Sequence, residues 1–507
     1  MKKLYVSLNI AICLLTLSVD AQSILDDTFG VNGKLNFSFN TNQWVRDIAV
    51  QPDGKIIAVG DYYFNSPWNQ FFIKRLMPDG SADTTFGTPG EGPVSDYTGT
   101  VFFNYGAKCT PSSVLLLPDG KIMVSGSTSD ETGNSGDYDF IIIKLNSDGS
   151  LDTTFRNQGV YTDDRPDYQG AGSMALQGDK VLVSASFSNG RLTRLNADGT
   201  TDTTFGTNGF NPTGGQMLIG TDNSIYIGSY SNGNNVRMTK YTPNGALDTS
   251  FADQGVRIVP FPVDTTWEKR LGYSYLSDDG KIFLTGTYST SITSGYYGLT
   301  VAFDLEGNLL SGFGNGGMLI KEPQTWSSVG SGVMVTNNKV TVAYQTGLAT
   351  NYDYTVASYN MDGTPFTDFG TNGEETFYFG STNTHDYIDA VAIQPDGKML
   401  LGGRSADGAS LARLNPVNQP TAVIKSFTSE NVIFYPNPAK DKVKIFVNND
   451  IQFLTVKMYN LLGLEVYRGI FASNEGLIDV SKLQEGIYIA ELDNGSEKIV
   501  KRIVVKK

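Results

Sequence analysis

A short block reading D-x-x-F-G, or a close variant of it, recurs seven times along this chain. Its phenylalanine falls at Phe29, Phe86, Phe155, Phe205, Phe251, Phe313 and Phe369. Copies spaced roughly 45 to 70 residues apart are typical of a repeat architecture, in which one supersecondary unit stacks on the next. The block therefore decides the fold of most of the 507 residues.

A hairpin signal accompanies the block. The first hairpin reads DIAVQPDGKIIAVG over residues 47–60, and the last reads DAVAIQPDGKMLLGG over residues 389–403. Proline presets φ for the turn and glycine takes the positive φ that closes it, so two apolar runs fold against each other. A third run, a second Asp-Gly turn and a fourth run complete the unit. Four antiparallel strands in each of seven units predict an all-β, seven-bladed β-propeller, with an open solenoid as the alternative.

The two ends of the repeat region complement each other. An extra run at residues 33–39 precedes the first hairpin, whereas the last unit stops after its third strand, at residues 411–415. We expect the N-terminal run to supply the fourth strand of the last blade. That pairing would close the ring and remove an exposed sheet edge.

The N-terminus predicts export. Lys2 and Lys3 precede an apolar stretch that ends with a small residue at Ala21, which is the pattern of a secretory signal peptide over residues 1–21. No later apolar run is long enough to span a bilayer as a helix. The formal net charge of −14 disfavours nucleic acid as a partner.

Two resemblances to known families follow from these motifs. D-T-T-F-G, Q-P-D-G-K and R-L-x-P-D-G resemble the delta-60 repeat of secreted bacterial proteins, over residues 24–416, and that resemblance implies a fold but no single activity. The last part of the chain resembles the type A C-terminal sorting domain of the type IX secretion system, with an ordinary accessory β-sandwich as the alternative. The residues that carry this second resemblance are Tyr435, Pro436, Asn437, Pro438, Gly463, Gly486 and Tyr488.

These observations divide the chain. We expect a signal peptide at 1–21, the propeller at 22–416, a linker at 417–431 and a small sorting β-sandwich at 432–507. The sorting resemblance implies the type IX secretion machinery as a partner. It also implies passage through the periplasm to the outer cell surface of a Gram-negative bacterium or to the medium.

Catalytic chemistry has few candidate residues. His385 is the single histidine, which excludes a zinc site built from several histidines, and we interpret it as a surface-loop residue. The acidic group Asp130, Glu131, Asp137 and Asp139 is a weak calcium candidate without the spacing of a dedicated loop, so we predict no cofactor. The repeated aspartates Asp26, Asp83, Asp152, Asp202 and Asp248 are expected to bond backbone amides within their own turns.

Aromatic residues indicate a binding face. In an up-and-down blade, the short repeated turns share one face of the ring and the variable connections share the other. The aromatic residues assigned to the variable connections are Trp44, Trp68, Trp267, Trp326, Tyr62, Tyr63, Tyr97, Tyr105 and Tyr168. Exposed aromatics there would stack on sugars or anchor proteins, unless they only pack their own loops.

The sequence thus predicts a secreted or surface-displayed propeller that acts as a noncatalytic binding module for a glycan or protein. The alternative is an extracellular polysaccharide-active hydrolase or lyase that uses loop carboxylates. An enzyme should gather two acidic side chains at the central channel, whereas a binder should show aromatics there without such a pair.

Overall fold

The structure is a computed structural model that describes residues 24–417 and 432–507, except for 40–41, 66–67, 88–96, 107, 130–137, 164–170, 186–189, 232–234, 262–267, 291–294, 323–326, 349–350, 381–383, 448–453, 462, 472–474 and 494–497. Contacts divide the chain into two compact units, Met1–Asn418 and Gln419–Lys507. Strands and turns make up the described residues of both units, and no helix that could cross a membrane occurs among them. The predicted signal peptide and almost all of the predicted linker lie outside the described residues.

In the first unit the described strands form seven antiparallel groups of four, here called blades. Two of them join into one eight-stranded sheet through a single parallel bridge between Tyr296 and Ser327. In chain order, β1 (Lys34–Phe37) comes first and belongs to the last blade. The other strands, with semicolons between blades, are β2 (Gln43–Val50), β3 (Ile56–Asn65), β4 (Trp68–Leu76) and β5 (Thr100–Phe103); β6 (Cys109–Leu116), β7 (Ile122–Ser129), β8 (Tyr138–Leu145) and β9 (Val160–Asp163); β10 (Ala171–Gln177), β11 (Lys180–Ala185), β12 (Arg191–Leu195) and β13 (Phe210–Asn211); β14 (Gln216–Ile219), β15 (Ile225–Ser231), β16 (Asn235–Tyr241) and β17 (Val256–Pro260); β18 (Glu268–Leu276), β19 (Ile282–Ser289), β20 (Tyr296–Phe303) and β21 (Met318–Lys321); β22 (Ser327–Thr336), β23 (Lys339–Leu348), β24 (Asn351–Asn360) and β25 (Glu374–Phe377); and β26 (Tyr387–Ile393), β27 (Met399–Ser405) and β28 (Gly408–Leu414), which β1 completes.

The repeated Pro-Asp-Gly turn folds as its residues dictate. In the first copy the Gln51 amide donates to the Lys55 carbonyl at 2.8 Å, and Gly54 takes φ +84°. Asn337 and Asn338 replace Asp-Gly in the sixth copy and take φ +49° and +58°. Asparagine enters this region more readily than most residues do, so the hairpin is kept where the sequence departs from the repeat.

The predicted ring closure is confirmed. Strand β1 pairs antiparallel with β28, with Lys34 opposite Ala412 and Phe37 opposite Ala409. Each blade contacts the next along the chain, and the last contacts the first through β2 and β26. This closed ring of four-stranded antiparallel sheets is a β-propeller, whose innermost strands surround a central channel.

The D-x-x-F-G block links neighbouring blades. All seven of its phenylalanines are 5% exposed or less, and a Cβ added to Gly149 of the following turn would lie 3.0 Å from the Phe86 ring. Arg75 on β4 donates from Nε to Asp83 Oδ2 at 2.8 Å and from Nη1 to the Ser147 carbonyl of the next blade. The block is therefore an inter-blade contact, in which packing and charge act together.

The predicted backbone role of the repeated aspartates is confirmed. Each accepts a hydrogen bond at Oδ1 from the amide two residues further on, at 2.9 to 3.2 Å. These bonds satisfy backbone donors that a tight turn leaves unpaired.

The second unit is a small sandwich of two antiparallel sheets, with strand orders β29-β30-β33 and β32-β31-β34-β35. Val443 and Ile445 on one sheet and Val456 and Ala490 on the other belong to a single buried core. The strands are β29 (Val432–Tyr435), β30 (Lys442–Val447), β31 (Leu454–Tyr459), β32 (Glu465–Phe471), β33 (Glu475–Asp479), β34 (Gly486–Asp493) and β35 (Lys498–Val505).

The residues of the predicted sorting motif differ in their contacts and burial. The Asn437 side chain donates to the Arg502 carbonyl at 3.0 Å and accepts from the Val504 amide at 2.8 Å, which fastens the Tyr-Pro-Asn-Pro segment to the last strand. Tyr488 is 6% exposed and packs in the core, whereas Tyr435 is 73% exposed.

Candidate functional site

A cleft opens where the first and last blades meet. Described residues of three segments line it: Ser38 and Asn42 between β1 and β2, Tyr63 on β3, and the tight hairpin between β27 and β28. It encloses about 480 Å³ and is lined by Ser38, Asn42, Tyr63, Arg404, Ser405, Ala406, Asp407 and Gly408. We call it the closure cleft, because these segments meet only when β1 pairs with β28.

Polar groups dominate the closure cleft. Arg404 Nη2 donates to Asn42 Oδ1 at 3.2 Å, and the Asn42 carbonyl accepts from the Tyr63 amide at 3.1 Å. Ser405 Oγ donates to Asn36 Oδ1 at 3.2 Å, which ties the hairpin to β1. The Tyr63 side chain is 43% exposed, so the cleft offers one aromatic side chain among amide, hydroxyl and charged groups.

A row of stacked rings lies behind the cleft. The Trp44 and Tyr387 rings are nearly parallel, at 16°, with centroids 5.4 Å apart, and His385 stacks on Tyr387 at 5.7 Å. The guanidinium carbons of Arg46 and Arg404 lie 4.1 Å and 5.2 Å from the Trp44 ring centroid. Cation–π contacts of this kind hold a guanidinium in a fixed plane.

The acidic side chains beside this row are bound to one cation. Arg46 pairs with Asp61 at 2.6 Å and with Asp389 at 3.2 Å. The Asp61 side chain is fully buried, and burial raises the pKa of Asp389 to about 6 although Arg46 opposes it. The two carboxylates therefore converge on one guanidinium, which carries a single positive charge between them.

Two further carboxyls, those of Asp47 and Asp386, are tied to the backbone. Asp47 accepts from the Ile48 and Val114 amides at 2.9 and 2.8 Å, and burial raises its pKa to about 6. Asp386 is 0% exposed and accepts from the Phe379 amide at 2.6 Å, and burial raises its pKa to about 7. Both carboxyls join blade segments through these bonds.

Tyr273 crosses the inner part of the ring. Its hydroxyl, carried by the innermost strand β18, donates at 3.1 Å to the carbonyl of Val391 on the innermost strand β26, two blades further on. This bond joins the innermost strands of two blades that are not neighbours in the ring.

The predicted binding face needs correction at three residues. Trp44 lies on the innermost strand β2 rather than in a connection, and Tyr62 and Tyr97 are 1% and 6% exposed within the blade core. Tyr62 was assigned to a long loop, but β3 continues to Asn65, and alternation along that strand turns the ring inward.

The remaining aromatic predictions divide into two groups. Tyr63 and Tyr105 are exposed at 43% and 42%, as expected for the face, and only Tyr63 lines the closure cleft. Trp68 is the first residue of β4, which shortens the predicted connection, and its side chain lies outside the described residues. Trp267, Trp326 and Tyr168 also lie outside them.

Most of the predicted acidic calcium candidate lies outside the described residues, whereas the position of the single histidine is described. Asp130, Glu131 and Asp137 lie outside the described residues, and Asp139 belongs to strand β8. Within the described part of the chain no group of His, Cys, Asp or Glu side chains is arranged to hold a metal ion. His385 lies in the connection before β26, as expected, but it is partly buried: its ring stacks on Tyr387 and meets the Tyr352 ring at a tilt of 37°.

Sequence reasoning missed Asn42, Arg404 and Asp407. No motif marks them, and the pair Asn42 and Arg404 is separated by 362 positions. It also missed the basic partner of each repeated aspartate, although a signal was present. Four of the five repeated aspartates have arginine or lysine eight positions earlier, and Asp26 takes Arg413 from the last blade instead. Where Leu310 and Phe366 replace the aspartate, Ala302 and Ser358 replace the base.

Comparison with known proteins agrees with both units. Residues 433–506 match the family described as secretion system C-terminal sorting domain. The propeller unit matches the domain of unknown function (DUF5122) beta-propeller over residues 51–86, 117–155, 177–205, 221–251 and 394–418. The chain is therefore a β-propeller protein with a type IX sorting domain, and that domain directs export to the cell surface or extracellular space of a Gram-negative bacterium. No curated protein matches the chain.

Solved structures show only distant similarity. PorZ, a surface component of the type IX secretion system of Porphyromonas gingivalis, is 12% identical with a TM-score of 0.21 and coverage of 93% of this chain and 82% of that one. A protein of unknown function from Dyadobacter fermentans is 12% identical with a TM-score of 0.38 and coverage of 76% and 100%. The GH93 α-L-arabinofuranosidase of Fusarium graminearum is 10% identical with a TM-score of 0.36 and coverage of 75% and 95%. At these scores the likenesses carry no argument about function.

Proposed function

We propose that the propeller is a noncatalytic binding module that holds a glycan in the closure cleft. The observation that carries this proposal is the lining of the cleft, where one exposed tyrosine stands among an arginine, an aspartate, an asparagine and two serines. A sugar presents hydroxyl groups around an apolar ring face, so it matches this mixture better than an apolar peptide side chain does. A volume of about 480 Å³ lies in the range of small-ligand sites.

The enzyme alternative is less well supported. Glycoside cleavage needs an acid and a second carboxylate facing the same bond. The two carboxylates beside the aromatic row, Asp61 and Asp389, are both paired with Arg46. Asp47 and Asp386 have raised pKa values but are already bonded to backbone amides.

The sorting domain gives this module its place of action. Because that unit has a separate core, it can serve as an export signal without contributing to the cleft. The ligand would then be met outside the outer membrane, as a component of the medium or of a cell surface.

The test is a glycan array probed with the full mature chain, followed by titration calorimetry on the best ligand. Tyr63→Ala should weaken binding by about 2 kcal/mol or more if its ring contacts the sugar. Tyr105→Ala is the matched control, because that tyrosine is equally exposed but lies outside the cleft. Equal losses of affinity in both variants, or release of shortened saccharide by the native chain, would overturn the proposal. It would also be overturned if the chain bound a protein ligand and no glycan on the array.

A further inference from the structure

We propose that the glycan carries a carboxylate and that Arg404 is the residue that recognises it. This inference rests on the proposed function of the closure cleft and names the class of saccharide. It follows from the hydrogen-bond partner of Arg404, which is a neutral amide, whereas the neighbouring Arg46 is paired with carboxylates.

Arg46 and Arg404 both lie against the Trp44 ring. Arg46 is neutralised by two carboxylates. Arg404 donates through Nη2 to the neutral amide of Asn42, and no carboxylate of the described residues forms an ion pair with it. Arg404 therefore brings an unneutralised positive charge to the wall of the cleft.

The acidic residue of the cleft does not remove that charge. Asp407 lies three positions further along the same hairpin, yet its carboxylate turns toward another segment: a Cβ added to Gly380 would lie 2.7 Å from Asp407 Oδ2. The cleft thus separates a cation from an anion instead of pairing them. A guanidinium has five N–H donors, and only one of those on Arg404 is used by Asn42.

The plane of the guanidinium suits a carboxylate. The contact with Trp44 and the bond to Asn42 restrain the group before any ligand arrives, which lowers the entropic cost of binding. A planar guanidinium binds a planar carboxylate through two parallel N–H bonds, one to each oxygen, whereas a hydroxyl offers a single, uncharged oxygen. With Tyr63 available for the sugar ring, a uronic acid unit satisfies both features of the cleft.

The experiment compares three ligands on the full mature chain by titration calorimetry: an oligogalacturonate, its methyl ester, and polyglutamate. We expect the free acid to bind roughly tenfold to hundredfold more tightly than the ester, which keeps the sugar skeleton but loses the charge. Arg404→Gln should abolish that preference, so that the acid and the ester bind this variant with similar affinity. Arg404→Lys should restore part of it, because lysine supplies charge without the planar fork.

Arg156→Gln is the control, since Arg156 is exposed near the repeated turns and far from the cleft in the chain, and its removal changes the net charge equally. Melting temperatures of all variants show whether a loss of binding reflects unfolding. Equal affinity for acid and ester, an unchanged preference in Arg404→Gln, or tighter binding of polyglutamate than of either saccharide would overturn the inference. If the ester binds as well as the acid, the glycan-binding function stands and only the carboxylate is wrong. If neither saccharide binds, this inference fails, and the proposed function fails with it only when the glycan array is also empty.

Discussion

The ring closure should depend strongly on one buried ion pair. Arg413 Nε and Lys398 Nζ lie 2.7 Å and 2.9 Å from Asp26 Oδ2, and the side chains of Arg413 and Asp26 are 5% and 4% exposed. This contact joins the start of the propeller to its last blade. We predict that Asp26→Asn destabilises the propeller much more than Asp248→Asn, in the copy of the repeat whose ion pair is longer and more exposed.

The magnitude follows from burial and charge. The pKa of Asp26 is lowered from an ordinary value of 3.8 to about 2. Burial alone would raise it, but the hydrogen bonds from Lys398 and Thr28 and the charge of Arg413 outweigh burial. That difference corresponds to roughly 2.5 kcal/mol. Removing one partner of a buried pair typically costs about 3 to 5 kcal/mol, because the other charge stays buried without compensation.

Asp248→Asn provides the comparison. Within the described part of the chain Asp248 forms an ion pair with Lys240 alone, at 3.3 Å, with side-chain exposures of 20% for Asp248 and 16% for Lys240. Solvent and salt screen such a pair, so the expected cost is about 0.2 to 1 kcal/mol. Both variants keep the acceptor for the turn amide, so the difference between them reports the ion pair.

Tryptophan fluorescence during urea unfolding is the assay. All four tryptophans precede the sorting domain, so their emission reports the propeller alone. Similar midpoints for the two variants, or an Asp26→Asn variant as stable as the native chain, would refute this account of the closure.

Four more outcomes are expected. Because the pKa of Asp26 is depressed, the stability that its charge contributes is present above about pH 4 and is lost as the pH falls toward 2. The urea midpoint, measured by fluorescence, should therefore fall less steeply with decreasing pH in Asp26→Asn than in the native chain. Gly80 has φ +89°, so Gly80→Ala should lower the free energy of unfolding by about 1 to 2 kcal/mol in the same assay. Gly312→Ala should lower it clearly less, because the space around Gly312 is open. Deleting residues 22–39 removes β1 and should lower the melting temperature strongly, and an unchanged melting temperature would count against closure by that strand. Deleting residues 434–507 should leave a folded propeller in the periplasm, as judged by cell fractionation, and normal amounts in the medium would contradict the export role.

Much of the fold could be predicted because its signals are local. Each Pro-Asp-Gly turn fixes its own hairpin, and the unmatched runs at the two ends of the repeat region indicated their pairing. The aromatic residues were harder to place. The Asn-Ser-Pro signal at residues 65–67 marks the end of β3, so the strand could have been extended past Asp61, and the inward direction of Tyr62 then follows from alternation along it.

The cleft itself could not be predicted from local patterns. Asn42, Tyr63 and Arg404 come from three segments that meet only through the closure, and none belongs to a motif. The stacking of Trp44 on Tyr387 likewise joins the first and last blades. Such contacts depend on the ring as a whole.

Calorimetric titration of an array-selected saccharide into the full mature chain tests the central claim, that the closed propeller binds a glycan at the closure cleft without cleaving it. We predict one saturable site, a loss of affinity in Tyr63→Ala but not in Tyr105→Ala, and a saccharide recovered intact. Undiminished affinity in Tyr63→Ala, or cleaved saccharide after the titration, would contradict the claim.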